Sequence, residues 1–134
     1  DASFVVRANA RLELMDLEST VGNRVAFERH RLELGESASR MTPSMAVDYR
    51  YKVGVGLARF GKFARARAVW EEGLQLAREH RLNEWYFRLE RMLRHLDGCA
   101  GCVAQESEAE PAAARQAVAR VTAGLRQYAA LAPA

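Results

Sequence analysis

From Thr42 to Gly98 the sequence reads as three helical stretches with almost nothing between them. Thr42 and Pro43 supply an N-cap and a first-turn proline for a helix that runs to Phe60 and stops at Gly61. A second stretch runs from Lys62 to about His80, and after Arg81 and Leu82 a third opens at a capping Asn83. In that third stretch Trp85, Leu89, Met92, Leu93 and Leu96 recur at the spacing of one buried helical face, up to a stop at Gly98. Connections this short force consecutive helices to lie side by side and antiparallel.

The same reading extends to both ends. A first helix is expected from about Ser3 to Met15, with a short connection over Met15 to Leu17. A second is expected from Glu18 to Leu34, ended by Gly35 as a left-handed cap and followed by a polar loop to Thr42. Beyond Gly98 a linker runs to Glu110, and Pro111 opens an alanine-rich helix that reaches about Leu131. No segment has the sustained period-two alternation of a half-buried strand. Prolines occur only at Pro43, Pro111 and Pro133, so other helix interiors escape the strongest breaker. The expectation is an all-α fold of stacked antiparallel hairpins, six helices in three pairs over about 3–34, 43–80 and 83–131.

The 134 residues suit a single domain, and apolar residues at 49% against charged ones at 28% are the balance of a chain that folds. The opening at Asp1 rather than methionine is expected of a fragment of a larger protein. No apolar run approaches the roughly 20 residues that span a bilayer, and the N-terminus lacks the order of a signal peptide, so a cytoplasmic protein with no membrane association is expected. The excess of +3 is carried almost wholly by arginine, Lys52 and Lys62 being the only lysines. Such a small surplus suits a solvated helical surface and makes nucleic acid an unlikely partner.

One stretch carries a more specific signal. From Gly54 to Leu74 the sequence GVGLARFGKFARARAVWEEGL places Gly54 and Leu57 in one helix, Gly61 at the turn, and Phe63, Ala66, Trp70, Gly73 and Leu74 in the next. Small residues at Gly54 and Ala66 would let the two helices cross closely, with Phe63, Trp70 and Leu74 filling the space between them. This segment resembles a tetratricopeptide repeat over one helix-turn-helix unit. A shift of 40 residues sets Leu17 against Leu57, Ala26 against Ala66 and Leu34 against Leu74, but His30 against Trp70. That period resembles the looser repeats of large bacterial signal-transducing regulators. The last two helices would then form a degenerate capping unit.

The resemblance implies that the first helices of the pairs line a concave face that grips a peptide or another protein. On that face fall Asp48, Tyr51, Lys52, Val55 and Arg59 of the second pair, with Arg7 and Arg11 of the first. A clamp for terminal carboxylates, known in this family, would need lysine and asparagine where Tyr51 and Val55 stand, so that use is not expected. Arg81, Arg88, Arg91 and Arg94, near Glu84 and Glu90, read as ion pairs on the surface of the fifth helix.

In HLDGCAGC, His95, Cys99 and Cys102 reproduce the His-x3-Cys-x2-Cys spacing of zinc-containing anti-sigma factors, which this short segment resembles. Two thiolates and a histidine one turn earlier can converge on one zinc ion. A fourth histidine or cysteine is missing, since His30 and His80 belong at the opposite ends of their helices, so no closed zinc site and no firm cofactor is expected. No nucleophile with its base, paired carboxylates or phosphate loop is legible, and the chain does not read as an enzyme. A repeat-type protein-interaction module is the primary reading, and a zinc- or thiol-dependent regulatory switch is the alternative.

Overall fold

The structure, a computed structural model, describes residues 2–98. It is all-α: α1 (Ala2–Thr20), α2 (Arg24–Glu36), a short 3-10 turn (Ala38–Arg40), α3 (Pro43–Arg59), α4 (Phe63–Glu79) and α5 (Asn83–Gly98). The helix expected from Pro111 to about Leu131, and the linker before it, lie outside the described residues. Among those described there is no strand.

Punctuation read from sequence operates at most helix ends. The Thr42 hydroxyl accepts from the Met45 N–H at 3.2 Å, and Pro43 follows as the first helical residue. Three of the connections share one geometry. Gly22, Gly61 and Arg81 take left-handed φ values of 81°, 78° and 55°. In each case the next residue's N–H reaches back to a carbonyl inside the helix: Asn23 to Glu18, Lys62 to Leu57 and Leu82 to Ala77, all at 2.8 Å. Arg81 holds this conformation without the freedom that glycine brings.

Two expected boundaries are corrected. The first turn falls at Val21–Asn23, not at Met15–Leu17, because Met15 and Ser19 stay on the buried face while Gly22 and the capping Asn23 carry the stop and restart. Gly35 is no left-handed cap, since α2 continues through it to Glu36. Its missing side chain leaves room for Tyr49, whose Oη lies 3.2 Å from where a Cβ would stand and donates to the Arg31 carbonyl at 2.8 Å.

The core is built around α3. From Val53 to Ala58 every residue of this helix is buried, because α1, α2, α4 and α5 all touch it. Gly54 and Gly56 stand on nearly opposite sides of the helix and each receives a large ring. A Cβ on Gly54 would lie 2.1 Å from Trp70 of α4, and one on Gly56 would lie 2.2 Å from Phe27 of α2. Both rings are fully buried. The indole Nε1 of Trp70 donates to the Tyr51 carbonyl at 3.1 Å, so its one polar atom is satisfied. Ala66, Gly73 and Ala77 keep the remainder of α4 close to its neighbours, with Leu89 of α5 seated beside Gly73.

Burial recurs between the two hairpins at 39 residues, the separation of Gly22 and Gly61, rather than at 40. Ala8 matches Val47, Met15 matches Gly54, Ser19 matches Ala58, Phe27 matches Ala66 and Leu34 matches Gly73, all buried. The pairing by 40 fails at Leu17, which is 54% exposed where Leu57 is buried. The hairpins do not stack uniformly. Helix α1 packs broadly on α3 and α2 barely touches it, whereas α5 packs on α4 and only grazes α3.

Candidate functional site

Side chains of α3 expected on a partner-facing surface are largely spent on neighbouring helices. Val55 is buried at 5% exposure and belongs to the core. Arg59 reaches across to the end of α1, where its Nη1 donates to the Asp16 carboxylate at 2.8 Å, the Ser19 hydroxyl at 2.9 Å and the Asp16 carbonyl at 3.2 Å. It thereby serves as a cap for α1, supplying a donor to a carbonyl near the helix end. Lys52 donates to Glu13 of α1 at 2.8 Å and to Asp48, one turn back on its own helix, at 3.2 Å. Tyr51 lies against Trp85 of α5 with ring centroids 5.6 Å apart.

A mixed polar and aromatic strip therefore crosses three helices. It runs from Glu13 on α1, through Lys52, Asp48 and Tyr51 on α3, to Trp85 and Arg88 on α5. The Arg88 guanidinium lies 4.7 Å from the Trp85 ring centroid and bonds Glu84 at 3.3 Å. Arg94 likewise pairs with Glu90, so two of the arginines on α5 are held by ion pairs along the helix.

The electrostatics of the strip follow from unequal sharing. Burial raises the Asp48 pKa, and the Lys52 ammonium with a smaller pull from Arg88, opposed by the Glu13 charge, does not bring it back. For Lys52 burial pulls the pKa down, but the Glu13 hydrogen bond and the Asp48 charge together lift it above the ordinary value of 10.5. Burial also pushes the Tyr49 hydroxyl above 10.0.

Tyr49 and Lys52 both hold a proton more tightly in the folded chain than in the unfolded one. The stability this contributes is complete below about pH 10 and is lost as pH rises through the folded values. Denaturant midpoints should accordingly be level between pH 8 and 9 and decline between 10 and 12. In Tyr49→Phe the decline should be shallower, with about 1 kcal/mol lost at pH 8 along with the bond to Arg31. An alkaline slope identical to that of the parent would remove Tyr49 from the account.

Arg7 and Arg11 do not join the strip. They line a separate cleft between α1, the end of α2 and the 3-10 turn, together with Arg40. His95 is exposed in the last turn of α5, and its expected co-ligands Cys99 and Cys102 lie outside the described residues. Among the described residues no three His, Cys, Asp or Glu side chains gather to hold a metal ion, and no helix is long and apolar enough to cross a membrane.

One surface feature was not anticipated. Helix α1 buries Phe4, Ala8, Leu12, Met15 and Ser19 on one side, yet Val6, Leu14 and Leu17 project from the opposite side at 68%, 47% and 54% exposure. Val21, just past the helix end, continues the row at 66%. Comparison with protein-family models, curated proteins and solved structures finds no match.

Proposed function

We propose that this chain is a protein-interaction module of the tetratricopeptide type within a larger regulator, and that it binds a helix of a partner protein along the outer side of α1. The observation that carries the reading is the second apolar face of α1. A helix at the edge of a bundle needs one apolar side to join the core, and a second one exposes hydrophobic area to water without helping the fold. Val6, Leu14, Leu17 and Val21 follow i, i+8, i+11 and i+15, with Ala10 between the first two. This is the row that an amphipathic helix engages when it lies alongside. The recurrence of buried positions at 39 residues, with matching turns at Gly22 and Gly61, supports the repeat type.

The face is tested by placing a photo-crosslinking residue at Leu14 of the full chain expressed in cells. It should capture a single partner, and Leu17→Glu with Val21→Glu should abolish the adduct while leaving the circular dichroism unchanged, because both positions are exposed. The same crosslinker at Arg65, exposed on α4, should capture nothing. Labelling from Arg65 alone, or an adduct at Leu14 indifferent to the two glutamates, would show that the binding face is elsewhere.

A further inference from the structure

The geometry points to a binding site for a phosphate monoester in the cleft between α1, the end of α2 and the 3-10 turn. This inference stands independently of the outer face of α1. The cleft has a volume of about 210 Å³ and is lined by Phe4, Arg7, Ala8, Arg11, Glu33, Leu34, Ser37 and Arg40. Phe4, Ala8 and Leu34 are buried and form its apolar floor. Three guanidiniums and one carboxylate make up its charge.

The roles of the three arginines differ. Arg11 forms an ion pair with Glu33, which fixes it across the α1–α2 seam. Arg7 donates to the Ser3 hydroxyl at 2.6 Å, and the Arg40 guanidinium lies over the Phe4 ring, 4.2 Å from its centroid. Among the described residues neither Arg7 nor Arg40 meets a carboxylate, so each keeps most of its five donors for something else.

Several other arginines of the chain are neutralised instead. Arg31, Arg50, Arg59, Arg67, Arg88 and Arg94 all have acidic partners within 4.0 Å. The cleft thus brings two guanidiniums that meet no carboxylate among the described residues, and a third shared with Glu33, around one apolar floor. Contact with the Phe4 ring restricts the Arg40 head group, which reduces the side-chain entropy lost on binding.

Charge and shape select the ligand. Three positive groups against one negative leave an excess of two, and a phosphate monoester carries about −1.5 to −2 at neutral pH whereas a carboxylate carries only −1. Planar guanidiniums bond phosphate oxygens in pairs, and the apolar floor lowers the local dielectric beneath them. The Ser37 hydroxyl at the rim adds one donor. The shared chemistry is the monoester group itself, borne either by a phosphorylated side chain on a protein segment or by a small metabolite.

The test is titration of the full chain with methyl phosphate, followed by the amide NMR signals of residues 7–11 and 37–40. Saturable shifts confined to those two segments are expected, with acetate binding at least tenfold more weakly. Arg7→Ala and Arg40→Ala should each reduce methyl phosphate affinity tenfold or more, and Arg65→Ala should leave it unchanged. Because Arg40 packs on Phe4, Arg40→Lys is the companion variant: it keeps the charge and loses the planar fork, and should still weaken binding severalfold. A phosphoserine peptide that binds more tightly than methyl phosphate assigns the group to a protein segment, and equal affinities assign it to a small molecule. Absent shifts, parity between acetate and methyl phosphate, or an equal loss in Arg65→Ala would overturn the site.

Discussion

Trp70→Ala should destabilise the chain by about 3–5 kcal/mol, a large part of the roughly 5–15 kcal/mol that holds a domain of this size folded. The indole is fully buried between α3 and α4 and hydrogen bonded to the Tyr51 carbonyl. Its removal leaves a hole bounded on one side by the bare backbone of Gly54, which has no side chain to move in. Neither can the two helices close the gap, because Phe63 and Ala66 already fix their separation nearby. Urea unfolding of the full chain measures this directly. The midpoint should fall sharply while the slope is kept, and Trp70→Phe should lie between variant and parent. A midpoint close to that of the parent would mean that α3 and α4 do not close on this ring.

The part of the fold that rests on punctuation was legible from sequence. Thr42, Pro43 and Gly61 stop and start helices for local stereochemical reasons that do not depend on the rest of the chain, and α3 and α4 begin and end within a residue of where those signals put them. The buried face of α4 was also legible, since Phe63, Ala66, Trp70 and Gly73 all enter the core, although Leu74 is only partly covered. On α5, Leu89, Met92 and Leu96 are buried while Trp85 and Leu93 remain at the margin.

Legibility failed where one helix carries two apolar faces. In α1 the buried set and the exposed set together leave little contrast around the helix, so periodicity gave no reason to prefer a turn at Gly22 over one near Leu17. The sequence did hold the corrective signal, Gly22 followed by a capping Asn23, whose side chain accepts from the Ala26 N–H at 3.2 Å.

The intramolecular contacts of the α3 side chains expected on a partner face were hidden for a different reason. Lys52 and Arg59 look like solvent-facing charges when their helix is considered alone. They become intramolecular once α1 lies alongside, because Glu13 and Asp16 stand three residues apart on that helix and meet them. Charge in a linear sequence carries no mark of whether its counter-charge comes from another helix. The cleft with Arg7, Arg11 and Arg40 was hidden in the same way, since Arg40 sits in a stretch that reads as a loop and only the turn over Ala38–Arg40 brings it back over Phe4.

Gly54→Ala is expected to cost about 1–3 kcal/mol, although alanine is the better helix former by nearly 1 kcal/mol. The sign is set by space, not by propensity. A Cβ at this position would lie 2.1 Å from the Trp70 Nε1 and 2.5 Å from its Cδ1, separations that no van der Waals contact allows. A buried ring held by a hydrogen bond cannot swing aside as the end of a flexible chain would. The variant must therefore push α4 away from α3 or break the bond to Tyr51. Gly98→Ala is the control, since a Cβ there meets nothing within 4 Å. Combining Gly54→Ala with Trp70→Phe separates overpacking from a general loss of glycine. If the clash is with the indole, the pair should be at least 1 kcal/mol more stable than the sum of the single changes predicts, because the smaller ring makes room for the methyl group. Strict additivity in that cycle, or a Gly54→Ala chain as stable as the parent, would place the close approach of α3 and α4 somewhere other than this glycine.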